Sequence, residues 1–399
     1  MLRPDTFALT ALLALLTAIG PVSVDMYLAS LPNIGRMLVT SPAAVQLTLS
    51  VYLTGYTIGQ IVYGPLSDRY GRRPVMLVAL ITYCVASVAC AAAPTIATLL
   101  MARTIQAIGV SGAVVLARAI VRDLYEGPRA ARELSLMASI MALAPVGAPP
   151  IGGVLQSLFG WRSNFVFMTA VGLIAAAAVW RGLPETIKVR NPGSLSPRAL
   201  IADYRDIASN RVFAAYLGML AFTFGGLFTW ISGLPFVLQD LYGLSPFWFG
   251  IAFSAGALGY MTGTSLAARI VDRIGIDLTI GWGVAAMLAG GFLAVATVAL
   301  DVASAVPLIL AMAFYVCGLG LVQPQSTAGA MMPFPDRAGA ASSLIGAVQM
   351  TFAAIAGIAV GHALDSTAWP LVLPVAGMSC VTFALWALTR RIRTNAGKP

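Results

Sequence analysis

The sequence is poor in charge. Of its 399 residues only 10% are Asp, Glu, Lys or Arg, against about a quarter in a soluble domain, so a water-exposed globule of this length is excluded. Its one histidine, His362, has no second histidine with which to hold a metal, and no metal site is expected. The two lysines, Lys188 and Lys398, stand in no phosphate-binding loop, which excludes ATP as a drive within this chain. The four cysteines, Cys84, Cys90, Cys317 and Cys380, all fall inside apolar blocks and read as small packing residues rather than a disulfide framework. No Gly-x-Ser-x-Gly elbow exists, since Gly109-Val-Ser-Gly-Ala113 departs at its last position. The polar–apolar alternation of barrel strands is missing too. An enzyme thus has little support, with an intramembrane one as the alternative.

What abounds is apolar sequence: 59% of the residues, with a mean hydropathy of +0.87. Blocks of roughly 20 residues, each able to cross about 30 Å of hydrocarbon as a helix, run near 7–31, 44–64, 74–93, 95–117, 134–158, 163–182, 212–236, 246–268, 278–299, 304–326, 339–362 and 368–389. The first block is too long for a signal peptide and lacks a small-residue cleavage site, so it is expected to remain as a span. The expected fold is an all-α integral membrane protein of twelve transmembrane helices. A polar stretch rich in Pro, Gly and Ser, 184–210, reads as a linker between six-helix bundles at 1–183 and 211–399.

The net charge of +9 reports orientation rather than nucleic-acid binding. With the N-terminus inside, 21 of the 24 basic residues fall in cytoplasmic segments, including Arg3, Lys188, Arg190, Arg198 and Lys398. Arg36 and Arg162 lie outside and Arg103 within a span, which places both termini in the cytoplasm. An internal repeat accompanies this pattern. Asp68-Arg-Tyr-Gly71 follows span 2 and Asp272-Arg-Ile-Gly275 follows span 8, at an offset of 204 residues. Parallel six-helix repeats are one architecture of secondary transporters.

The loop Gly64-Pro-Leu-Ser-Asp-Arg-Tyr-Gly-Arg-Arg-Pro74 resembles the signature between helices 2 and 3 of the major facilitator superfamily. In the second copy Ala268 replaces the first glycine, and Ile276 and Asp277 replace the basic pair. Asp25-Met-Tyr-Leu-Ala-Ser-Leu-Pro32, Arg103-Thr-Ile-Gln-Ala-Ile-Gly109, Ala144-Pro-Val-Gly-Ala-Pro-Pro-Ile-Gly-Gly153 and Gly160-Trp-Arg-Ser-Asn-Phe165 resemble motifs of the bicyclomycin and chloramphenicol resistance exporters. The resemblance is dense over 20–190 and thin beyond. It implies a proton-coupled multidrug antiporter of the bacterial inner membrane, working by alternating access on amphenicol- or bicyclomycin-like drugs. Its expected partners are a small-molecule drug, protons and the lipid bilayer, with no nucleic acid, no cofactor beyond the proton gradient, and one chain per transporter. A proton-coupled metabolite or nutrient transporter of the same fold is the rival reading. A channel is disfavoured, because the spans bear no ring of repeated charges and no carbonyl filter.

Asp25 is the one acid that falls well inside a span, where a charge costs roughly 2.5–3.5 kcal/mol. Counted inward from the span ends, Arg103 shares its depth, and the two are expected to meet if spans 1 and 4 pack together. Burial and a neighbouring guanidinium pull a carboxyl's proton affinity in opposite directions, so Asp25 is read as the proton acceptor near Arg103. The alternative is an ion pair that only fixes helix register. Asp68, with Gly64, Arg69, Gly71, Arg72 and Arg73, reads as a conformational latch. Its Arg72 is able to pair with Asp123, and the resemblance implies the N-terminus of span 11 as the partner of Asp68. All these cations alternatively serve orientation alone. On span 5, the resemblance implies that Pro145, Gly147, Pro149, Gly152 and Gly153 form an antiporter pattern, with Ala148 where a glycine is usual; an ordinary kinked helix is the plain reading. Pocket candidates are Tyr27, Leu49, Tyr56, Gln60, Gln106, Met141, Phe224 and Phe228, each with lipid contact or core packing as its alternative. Trp248, Phe249, Trp369 and Trp386 read as interfacial belts.

Overall fold

A computed structural model describes residues 6–125, 127–187, 204–334, 337–364 and 367–395. Most of the expected linker, together with Arg3, Lys188, Arg190, Arg198 and Lys398, lies outside the described residues. The chain divides into two compact units, one of Met1–Leu195 with Ser245–Gly250 and one of Ser196–Leu244 with Ile251–Pro399.

The first unit holds six long helices: α1 (Phe7–Leu28), α2 (Pro42–Tyr70), α3 (Arg72–Ala92), α4 (Ile96–Leu124), α5 (Gly127–Phe159) and α6 (Arg162–Gly182). The second begins with α7 (Arg211–Phe236). A continuous element, Pro246–Ala299, follows and breaks at Gly275 into α8 (246–274) and α9 (276–299). It ends with α10 (Val306–Met331), α11 (Ala338–Ala363) and α12 (Trp369–Leu388). Short helices cover Leu31–Met37 and Arg390–Asn395, and a π-turn covers Val237–Leu241. No strand occurs among the described residues. Among the described residues, ten elements are long and apolar enough to cross a membrane. Pro246–Ala299 supplies two passes, and α2 falls short by composition alone, because Gln46, Thr48, Ser50, Thr54, Thr57 and Gln60 dilute it. The total is twelve.

Helix ends depart from the apolar blocks for identifiable reasons. Span 1 stops at Leu28 instead of residue 31. Pro32, which sits at the start of the next short helix, offers no N–H and its ring would clash with the Leu28 carbonyl. In contrast α2 and α4 run on to Tyr70 and Leu124, and α5 starts at Gly127. A helix satisfies its own backbone whether or not lipid surrounds it, so hydropathy underestimates its length.

α4 forms the centre of the first unit, packed against α1, α2 and α3, while α5 covers α1. In the second unit α7 packs against α10, α11 and α12. The repeat is visible in the backbone: Gly71 has φ 104° and Gly275 has φ 80°. Both take a conformation that L-residues avoid, and both turn the chain sharply from one helix into the next.

Candidate functional site

Asp25 lies near the end of α1 and is 7% exposed. Arg103, in α4, is wholly buried. They do not pair. Arg103 Nη1 donates to the Ser23 carbonyl at 3.1 Å and to Gln106 Oε1 at 2.7 Å, and its guanidinium lies 4.5 Å from the centre of the Tyr27 ring and 4.2 Å from that of Tyr52. Its Nε and Nη2 meet no acceptor among the described residues. A planar guanidinium stacks on aromatic faces where an ammonium cannot, and here the rings stand in for a counter-ion. A shared depth sets position along the helix axis but not around it. At about 100° per residue, Ser23 and Tyr27 share one face of α1, and Asp25 points about 200° away from Ser23. No ion pair joins the Asp25 carboxylate to any described residue.

Polar contacts spread from Arg103 through the core. Gln106 Nε2 donates to Ser87 Oγ at 2.7 Å, Ser23 Oγ and Tyr83 Oη lie 2.8 Å apart, and Tyr27 Oη and Thr48 Oγ1 lie 2.9 Å apart. Four helices, α1 to α4, are tied together this way. Tyr27 and Gln106, two pocket candidates, are sealed members of this network, and Leu49 is buried as well.

The α2–α3 turn gathers its own cluster. Arg72 Nη1 donates to Asp68 Oδ1 at 2.5 Å and to Ser67 Oγ at 2.5 Å, and Arg72 Nε donates to Asp123 Oδ2 at 2.9 Å. Arg73 Nη2 donates to the Trp180 carbonyl at 2.5 Å, and Arg69 lies over the Tyr70 ring. Gly64 faces open space. Glu185, which sequence reasoning left in the linker, accepts from the backbone N–H of Arg72 at 2.8 Å. The only available signal was an acid directly after span 6.

On α5, Pro145, Pro149 and Pro150 lie inside the helix. Gly152 makes a close approach: a Cβ there would sit 2.0 Å from the Met26 carbonyl oxygen, beside Asp25. Gly153 similarly faces the backbone of Pro246, in the segment that clusters with the first unit. Gly147 has open space around it. A cavity of about 40 Å³ is lined by Thr17, Arg118, Leu134, Met137, Ala138 and Met141. It has room for about one or two waters, far below the roughly 300 Å³ of a drug site. Of the pocket candidates it includes Met141. Sequence reasoning missed Thr17 and Met137 and counted Arg118 only for orientation. Tyr56 and Gln60 are half-buried, with the Tyr56 ring nearly parallel to that of Tyr52, 6.5 Å away. Phe224 and Phe228 pair at 5.1 Å in α7. One of the expected belt residues, Phe249, is wholly buried instead. Trp386 is half-buried and donates Nε1–H to the Asp277 carbonyl at 3.1 Å.

The sequence profile described as Major Facilitator Superfamily matches residues 13–358. The chain belongs to the major facilitator superfamily. Among relatives, an uncharacterized major facilitator transporter of Bacillus subtilis, YdgK, is 32% identical over 373 residues, covering 92% of this chain and 91% of that one. The bicyclomycin resistance protein homolog of Haemophilus influenzae is 29% identical, covering 96% of each. The similarity therefore continues through the second half, where recognisable motifs are sparse. A solved structure of a bacterial homologue of the human lysosomal transporter Spinster superposes with a TM-score of 0.77 at 15% identity, over 98% of this chain and 97% of that one, and shares the fold. This major facilitator protein is a multi-pass membrane transporter.

Proposed function

We propose that the chain is a proton-driven exporter of small lipophilic antibiotics, amphenicol- or bicyclomycin-like, in the bacterial inner membrane with both termini cytoplasmic. The observation that carries this reading is Asp25, a buried carboxylate inside α1 with no ion-pair partner among the described residues, in a chain whose relatives include a bicyclomycin resistance homolog. Charge of this kind is retained in a membrane helix where it serves a pathway. The carboxylate holds either a proton or the cargo. Facing outward it takes a proton as drug leaves; facing inward, drug arrival favours release of that proton to the cytoplasm. Arg103 works through α1, braced against the Ser23 carbonyl and the Tyr27 ring, and positions the turn that carries Asp25. The Asp68–Arg72–Asp123 cluster acts as the conformational latch.

The rival is a metabolite or nutrient symporter of the same fold. Proteoliposomes separate the two. An inside-acid gradient is expected to drive chloramphenicol or bicyclomycin uptake by an antiporter, and Asp25→Asn to abolish that drive. Uptake opposed by the gradient, or an undiminished Asp25→Asn pump, would overturn the reading.

A further inference from the structure

In each unit the segment leaving the last long helix folds back onto the glycine turn between the second and third helices of that bundle. In the first, Glu185 Oε1 accepts from the backbone N–H of Arg72 at 2.8 Å and Oε2 from that of Arg73 at 3.2 Å. Oε1 also accepts from Thr186 and Ile187 N–H at 3.0 and 3.2 Å. Thr186 Oγ1 donates to Asp123 Oδ2 at 2.9 Å, joining the clasp to the Arg72 cluster. A carboxylate at the start of α3 is favoured by the helix dipole as well as by these four donors.

In the second unit the polarity is reversed. Asp277 stands 204 residues after Arg73, so an acid occupies the place of a base. The cation comes from the short helix after α12. Arg393 Nη2 lies 2.6 Å from Asp277 Oδ1, with Arg393 Nε at 3.3 Å from the same oxygen. The Arg393 side chain is wholly buried and that of Asp277 is 18% exposed. Arg393 Nη2 also donates to the Trp386 carbonyl at 2.7 Å, and Arg393 Nη1 to Thr389 Oγ1. Arg390 Nε approaches Asp277 Oδ2 at 3.5 Å.

We infer that Glu185 and Arg393 are positioning residues of opposite sign, each clasping the exit segment of its bundle to that bundle's glycine turn. The apparent decay of the second motif copy, with Asp277 in place of arginine, is then a charge reversal matched by the C-terminal helix. The first clasp uses backbone donors and the second a side-chain ion pair. The inference stands on this geometry and not on the cargo.

The two chemistries predict different responses to charge exchange in the full-length protein in detergent, read as trypsin cleavage after Arg391 and as the thermal unfolding midpoint. Asp277→Arg or Arg393→Asp alone is expected to speed cleavage about fivefold or more, and the double exchange to return it to within about twofold of wild type. Asp277→Asn and Arg393→Gln, milder in shape, are expected to be non-additive in the same sense. At the first clasp Glu185→Ala lowers the midpoint, Glu185→Gln lowers it less because one acceptor oxygen remains, and Glu185→Arg with Arg73→Glu gives no rescue. Additive effects at 277 and 393, single variants that cleave like wild type, or rescue of Glu185→Arg by Arg73→Glu would overturn the inference.

Discussion

Arg103 illustrates how a buried charge survives without a carboxylate. Two tyrosine rings, a backbone carbonyl and a glutamine surround it, each worth little alone; a desolvated cation–π contact contributes about 2 kcal/mol. Lysine would keep the charge and lose the flat stacking and the fork. Arg103→Lys is expected to lower stability by about 1–2 kcal/mol, read as a fall in the unfolding midpoint in detergent. An unchanged midpoint would mean that the rings contribute nothing. Asp25 owes its position on α1 to the residue order itself: two residues from Ser23, it sits on the side of the helix that Arg103 does not touch. Sequence counting reached both residues and their common depth, and it failed on azimuth. Azimuth depends on which side chains of the neighbouring helix offer the better partners, and tyrosines at 27 and 52 outcompete a carboxylate that faces elsewhere.

Among the elements, the glycine turns and α5 are the points where one added carbon has a calculable consequence. Gly71 (φ 104°, ψ 153°) and Gly275 (φ 80°, ψ 168°) share a backbone region essentially reserved for glycine, which costs another residue about 1–3 kcal/mol, but their surroundings differ. A Cβ at 71 would lie 2.5 Å from Glu185 Oε2, whereas at 275 it meets nothing within 4 Å. Gly71→Ala is therefore expected to destabilise more than Gly275→Ala, by denaturant unfolding of each variant. Equal losses would show that the carboxylate moves aside freely. Gly152→Val tests a different contact, since its Cβ would meet the Met26 carbonyl rather than a flexible side chain. A loss of about 1–3 kcal/mol is expected from overpacking, together with slower transport, because the displaced segment of α1 is the one bearing Asp25. The glycines of span 5 were readable in the chain as a pattern. That Gly152 presses on α1 while Gly147 faces open space was not, because equal spacing along a helix says nothing about which turn meets a neighbour.

For the molecule as a whole, orientation is the property most exposed to a simple check. On the proposed orientation, with the basic loops facing the cytoplasm, green fluorescent protein fused after Pro399 is expected to fluoresce in cells and alkaline phosphatase at the same point to stay inactive; an active phosphatase would invert the topology. The twelve passes, the repeat and the superfamily were all legible in the sequence alone, because lipid imposes block length and composition and a 204-residue offset survives in the letters. Lipid imposes nothing comparable on partners. Glu185 looked like linker and Asp277 like decay until folding brought one to the α2–α3 turn and set Arg393 against the other. Contacts between residues more than a hundred positions apart depend on how helices rotate and end, and one-dimensional periodicity carries no record of either.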